Sequence, residues 1–206
     1  MADRRPPLLW QSGSKLVLAS ASPQRAEILR SHGVTVDIRP SAAIELQEGD
    51  PAGVALANAR AKAQAGRAAL SSAEATTHVV LGADTLVALG SQIYGKPVDQ
   101  QQARQFLTEL SSAPHEVIGA IVVIDSDGVS REAVTRTDVE FRHLTAAEID
   151  SQVALGEWEG RAGGYAIQLS GDGLVARIGP DRLNVVGLSI VALNGLVQGL
   201  LPSGGA

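Results

Sequence analysis

The stretch Lys15-Leu-Val-Leu-Ala-Ser-Ala-Ser-Pro-Gln-Arg25 leaves the chain few ways to fold. Its apolar run over 15–20 predicts a buried strand. Ser22-Pro23 then has the form of a helix N-cap followed by proline at the first helical position, with Ala26, Ile28 and Leu29 as the apolar face of a helix reaching Gly33. A buried strand feeding directly into a helix belongs to a sheet covered by helices. The same grammar continues. Val34–Ile38 alternates as a strand does, and Asp50-Pro51 opens an alanine-rich helix through Lys62 toward Ala69. His78–Ala83 reads as another buried strand, with Leu86–Leu89 and Gln92–Tyr94 as a hairpin around Gly90-Ser91.

Downstream, Asp99 caps a helix with Ala103, Phe106, Leu107 and Leu110 at helical spacing. Glu116–Asp125 and Val129–Phe141 flank Ser126-Asp127-Gly128 as a long hairpin. Thr145-Ala-Ala-Glu148 is a capping box opening a helix to Leu155. Two short strands, Tyr165–Ile167 and Leu174–Ile178, precede a final helix. The fold class expected is α/β, a mixed sheet with flanking helices. The domain is expected over 15–202, with an extension at 1–14 and a tail at 203–206.

Composition removes several functions. The net charge is −5, the pI 5.3 and the aromatic content 3%, which leaves little for the basic grooves and stacking platforms of a polymeric nucleic-acid binder. The chain has no cysteine, so disulfides, thiolate metal sites and cysteine nucleophiles are excluded, and the cytoplasm is the expected compartment. No charge follows Arg182, but Asn184, Asn194, Gln198 and three glycines interrupt the apolar stretch there. That stretch predicts a buried terminal helix and no membrane span. The apolar run after Arg4-Arg5 is too short for an export signal.

The chemistry concentrates in short segments. At Ser20-Ala-Ser22-Pro-Gln24-Arg25, small residues allow close backbone approach. The helix start offers unpaired N–H groups, and Arg25 has the wrong sign for a helix start unless an anion sits there too, so the segment reads as a phosphate cradle. Gly82-Ala-Asp84-Thr85 follows a predicted strand, where a carboxylate lies at the usual ligand-binding end of an α/β sheet. Lys96 sits between Gly95 and Pro97, and Glu45 is a carboxylate in an apolar stretch. Lys62 lies in an alanine-lined helix, where most lysines are merely exposed. Gln168 closes a glycine-rich turn and has an amide able to read the edge of a base. The four histidines show no ligand spacing, and neither a dinucleotide fingerprint nor a Walker lysine is present.

In their order along the chain these segments resemble the Maf family. Besides those already quoted, Leu56-Ala to Lys62-Ala63, Leu110-Ser with His115, Thr137 to Phe141, Gly163 to Gln168 and Asn184-Val-Val-Gly-Leu188 carry the likeness, which runs from about Leu16 to Leu196. The resemblance implies a nucleoside triphosphate pyrophosphatase related in fold to inosine triphosphatases. It implies an elongated mixed sheet in two lobes, an active-site cleft between them, and a homodimer. Asp84 is implied as the essential acidic residue, with Arg25, Glu45, Lys62 and Lys96 as its polar companions. Thr85 and the Tyr-x-Ile-Gln pattern ending at Gln168 resemble the branch acting on dTTP and UTP. Two departures stand out: Gln24 replaces a usual arginine, and Ser189 replaces the proline of Gly-Leu-Pro.

The residue chemistry fits that activity. Arg25, Lys62 and Lys96 with the helix start supply positive groups for a polyphosphate. Glu45 and Asp84 are hard oxygen ligands of the kind Mg²⁺ or Mn²⁺ takes, and Ser20, Ser22, Gln24, Thr85 and Gln168 are the expected substrate contacts. The competing expectation, from the family's historical label as an inhibitor of septum formation, is a nucleotide-binding regulator of cell division that does not turn substrate over.

Overall fold

The computed structural model describes residues 15–198. Strand β1 (Lys15–Leu18) runs into helix α1 (Pro23–Ser31), whose N-cap Ser22 accepts the Arg25 N–H, as the Ser-Pro signal requires. Strand β2 (Val36–Ile38) follows, and then α2 (Pro51–Ala68) behind its Asp50 cap. A four-residue helix α3 (Ser72–Ala75), which the sequence pattern did not suggest, carries a complete capping box between Ser71 and Glu74. Strands β3 (His78–Leu89) and β4 (Gln92–Tyr94) precede α4 (Gln100–Leu110). The long hairpin is β5 (His115–Ile124) and β6 (Ser130–Phe141), and α5 (Ala146–Ala154) opens on the expected Thr145 and Glu148 box. Strand β7 (Val175–Ile178), α6 (Arg182–Val186) and α7 (Ile190–Gln198) complete the described chain.

The sheet order is β2-β1-β3-β5-β6-β7. β1 pairs parallel with both β2 and β3, and the remaining ladders are antiparallel, so the sheet is mixed as expected. β5 covers one edge of β3 from Val80 to Ala88. The opposite edge is divided. β1 pairs with His78–Leu81, β4 pairs with Val87–Leu89, and among the described residues no strand pairs with 82–86 on that side.

This split separates two cores on one face of the sheet. Leu16, Leu18, Leu29, Leu81 and Leu193 pack around β1, α1 and α7, while Leu107, Leu110, Phe141, Ile149 and Tyr165 pack around α4, α5 and the far end of the sheet. The other face is covered by α2, whose Ala55, Ala59 and Ala63 lie against Leu86, Ile118 and Ala120. Alanine is required there. At Gly82 a Cβ would come within 2.3 Å of the Ala59 carbonyl oxygen and 2.5 Å of the Ala63 nitrogen, so helix and strand meet almost backbone to backbone.

Three expectations change. His78–Ala83 and Leu86–Leu89 form one strand, because β5 holds the whole run in register. Tyr165–Ile167 is not a strand; it leaves a 3-10 turn at Ala162–Gly164 and enters another turn through Leu169 N–H to the Ala166 carbonyl. The final helix is two, broken at Gly187, whose φ of 136° ends α6. Ser189 replaces proline by opening α7 itself, accepting the Ala192 N–H while its hydroxyl donates to Asp181. No helix of the described residues is long and apolar enough to cross a membrane. The expected extension at 1–14 and tail at 203–206 lie outside the described residues.

Candidate active site

The unpaired edge of β3 opens into a cleft of about 510 Å³ between the two cores. Side chains alternate across a strand, so Asp84 points toward α2 and Thr85 toward α1. The cleft therefore receives groups from both faces of the sheet. Asp84 is not at the end of its strand, as the sequence suggested, but in its interior. It reaches the ligand side because β1 stops short of it.

On the α2 side, Lys62 Nζ lies 2.6 Å from Asp84 Oδ1 and 2.7 Å from Glu45 Oε1. Lys62 and Asp84 are buried, whereas Glu45, on the loop leading to α2, is half-exposed. Lys62, implied by the family likeness as a companion of Asp84, is held under the cleft by two carboxylates, since a buried charge of this kind persists only when paired. Asn58, one helical turn before Lys62, donates to Asp84 Oδ2 at 3.0 Å. Sequence inspection passed over Asn58, and its only local signal was an amide on the inward face of an otherwise alanine-lined helix.

On the α1 side, Arg25 is buried and fully oriented. Its Nε donates to the Gly187 carbonyl at 2.9 Å, Nη1 to Ser20 Oγ at 2.8 Å, and Nη2 to Thr85 Oγ1 at 3.0 Å. Burial lowers the guanidinium pKa from its ordinary value, while Asp84 and Glu45 act in the opposite direction. All three acceptors are neutral, so the positive charge is positioned without being cancelled by a directly bonded carboxylate. Ser22 donates its hydroxyl to Gln24 Oε1 at 3.1 Å, which lays the Gln24 amide along the helix start.

Lys96 and Gln168 also line the cleft, both exposed, from the loop after β4 and from the glycine-rich turn. Every residue singled out from sequence as a site candidate borders this one space. So does Arg161, which was not singled out. Among the described residues no group of three or more His, Asp or Glu side chains is placed to hold a metal ion, so Glu45 and Asp84 stand as a pair.

A mixed sheet split along one edge, with a polar cleft holding cations and carboxylates at its floor, is the arrangement in which the expected site residues meet. The chain belongs to the Maf-like protein family, whose sequence pattern matches residues 15–200. A protein of Moorella thermoacetica described as "dTTP/UTP pyrophosphatase" is 43% identical over 188 residues, covering 89% of this chain and 94% of its own. Proteins with the same description from Novosphingobium aromaticivorans and Pyrococcus furiosus are 39% and 38% identical, each over 89% of this chain and at least 90% of theirs. Among solved structures, the Staphylococcus aureus Ham1 protein aligns at a TM-score of 0.49 with 11% identity, over 91% of this chain and 100% of its own.

Proposed function

We propose that this protein is a nucleoside triphosphate pyrophosphatase, cleaving dTTP and UTP to the monophosphate and pyrophosphate. The observation that carries the reading is Lys62 shared between Asp84 and Glu45 at the floor of the cleft. Curated relatives described as dTTP/UTP pyrophosphatases, similar over nearly the whole chain, support the substrate. Two carboxylates beside phosphates repel them unless a metal intervenes, so their presence favours turnover over binding alone. An enzyme needs them.

In this reading the helix start at Ser22, with Arg25 and Lys96, holds the outer phosphates and stabilises the charge that develops on the departing pyrophosphate. Asp84 takes the proton of the attacking water, and Lys62 with Asn58 fixes its two oxygens. Thr85 holds Arg25 in place, while Gln24 and Gln168 face the nucleoside, where an amide can pair a donor and an acceptor with a uracil-like edge. Ser20 completes the anchoring of Arg25.

Glu45 and Asp84 are hard oxygen ligands that converge on Lys62, and Mg²⁺ in nucleotide sites is usually held by one or two carboxylates with phosphates and waters completing the shell. Glu45 and Asp84 would hold the Mg²⁺ or Mn²⁺, which when bound masks phosphate charge and acidifies water. The homodimer implied by the family likeness belongs to the same proposal and is tested by light scattering.

The test is pyrophosphate release from a panel of triphosphates with Mg²⁺, with and without EDTA. Release from dTTP and UTP, abolished by the chelator, is expected. Preference for another base would refute the substrate, and undiminished activity in EDTA would remove Glu45 from the metal site.

A further inference from the structure

The two carboxylates of the cleft come from segments with no shared backbone. Asp84 is locked in the sheet, whereas Glu45 rides on the loop from 39 to 50, which has no helix or strand of its own. On either side of Glu45, Ile44 and Leu46 are exposed at 91% and 52%, so the loop has little apolar burial to hold it down. Something must set its height above the cleft floor.

Besides the ion pair of Glu45 itself with Lys62, Asn58, only 2% exposed, holds the loop. Its Oδ1 accepts the Leu46 N–H at 2.7 Å, and its Nδ2 donates to the Leu46 carbonyl at 3.0 Å. The amide thus engages both polar groups of one loop residue, as a neighbouring strand would. The second hydrogen of the same Nδ2 is donated to Asp84 Oδ2 at 3.0 Å. One side chain uses its acceptor and both donors, and it joins the residue next to Glu45 to Asp84. Apart from Lys62 itself, Asn58 links the two carboxylates through neutral groups, so it orients them without neutralising either.

We propose that Asn58 is a positioning residue. It pins the Glu45 loop to the cleft floor and, through the same amide, orients Asp84, so that the two carboxylates act as one unit. This rests on the pyrophosphatase reading for its kinetic consequences but not for its structural ones. A hydrogen bond to a charged group contributes enough that its loss, if expressed in the chemical step, lowers kcat by about 10- to 100-fold.

Two variants separate the contacts. Asn58→Ala removes all three hydrogen bonds. Asn58→Asp keeps the volume and an oxygen for the Leu46 N–H but loses both donors and places a carboxylate against Asp84. Hydrogen exchange on the full-length protein, read at the loop amides, needs no activity. Asn58→Ala should expose the Leu46 amide to fast exchange, while Asn58→Asp should keep it protected. In kinetics with dTTP, both variants should lose kcat with KM changed less than about threefold, and Asn58→Ala combined with Glu45→Gln should cost well under the product of the single losses.

Unaltered exchange at Leu46 in Asn58→Ala, with the variant folded by circular dichroism, overturns the pin. Fully multiplicative losses in the double variant overturn the coupling. If the wild-type protein releases no pyrophosphate, the parent reading fails instead, and the exchange result still decides whether Asn58 holds the loop.

Discussion

Replacing Gly82 by alanine tests the link between sheet geometry and site geometry. The added Cβ would meet the Ala59 carbonyl oxygen at 2.3 Å and the Ala63 nitrogen at 2.5 Å, both backbone atoms of α2 that cannot rotate away. Contacts of this kind open to at least 3.0 Å, so α2 must retreat from β3 by roughly 0.7 Å or more. Asn58 and Lys62 ride on the face that moves, and Asp84 stays with the strand. Overpacking a core contact costs typically about 1–3 kcal/mol, and a backbone clash belongs at the upper end, so a loss of about 3 kcal/mol in urea denaturation is expected. A displacement approaching 1 Å at a reacting centre costs on the order of 100-fold in rate, so turnover should fall steeply even where the variant is fully folded. Gly195→Ala is the control. It lies in α7, where a Cβ meets nothing within 4 Å, and should raise stability by about 1 kcal/mol without touching turnover. If Gly82→Ala keeps wild-type stability and rate, the close approach of α2 does not set the distance between Lys62 and Asp84.

Other outcomes follow from the same geometry. Asp84→Asn changes charge but little volume; it leaves the buried Lys62 with Glu45 alone, so it should lower the thermal midpoint while keeping the fold, and cut kcat by more than about tenfold, a loss above ~1.4 kcal/mol of transition-state stabilisation. Lys62→Met strands the buried Asp84 carboxylate and should cost about 3 kcal/mol of stability, much less in an Asp84→Asn background, as a denaturation double-mutant cycle would show. His115 is buried, edge-on to Phe141, with Nε2 at 3.0 Å from the Tyr165 hydroxyl. Desolvation pulls its pKa down to about 4, with the Leu110 and Ala113 carbonyls opposing. The unfolded chain takes up the proton first, near pH 6.5, so stability should be full above that pH. It should decline toward pH 4 by about 3 kcal/mol, and His115→Gln should flatten that slope.

Much of this architecture is legible in the sequence. Ser22-Pro23, Asp50-Pro51 and Thr145 with Glu148 are local capping chemistry, and each helix begins where they stand. The continuity of β3 is not local. A charged Asp84 within an apolar run argues for a strand end, and only pairing with β5, Asp84 opposite Ala120 and Thr85 opposite Gly119, carries the strand through. The same long-range placement hides Asn58, whose partners lie twelve residues back at Leu46 and twenty-six ahead at Asp84. Lys62 looks like any lysine on a helix until Glu45 and Asp84 converge on it. Gly82 reads as part of a turn before Asp84, and its true role, the contact with α2, depends on a helix that precedes it by more than a dozen residues.

In the proposed reaction water attacks the α-phosphorus in this cleft while the outer phosphates leave together. Hydrolysis of dTTP in heavy-oxygen water, with products separated by chromatography and weighed by mass spectrometry, tests it directly. The expected products are dTMP carrying the label and unlabelled pyrophosphate, both lost in Asp84→Asn. Appearance of dTDP and labelled orthophosphate, or label in the pyrophosphate, would contradict it.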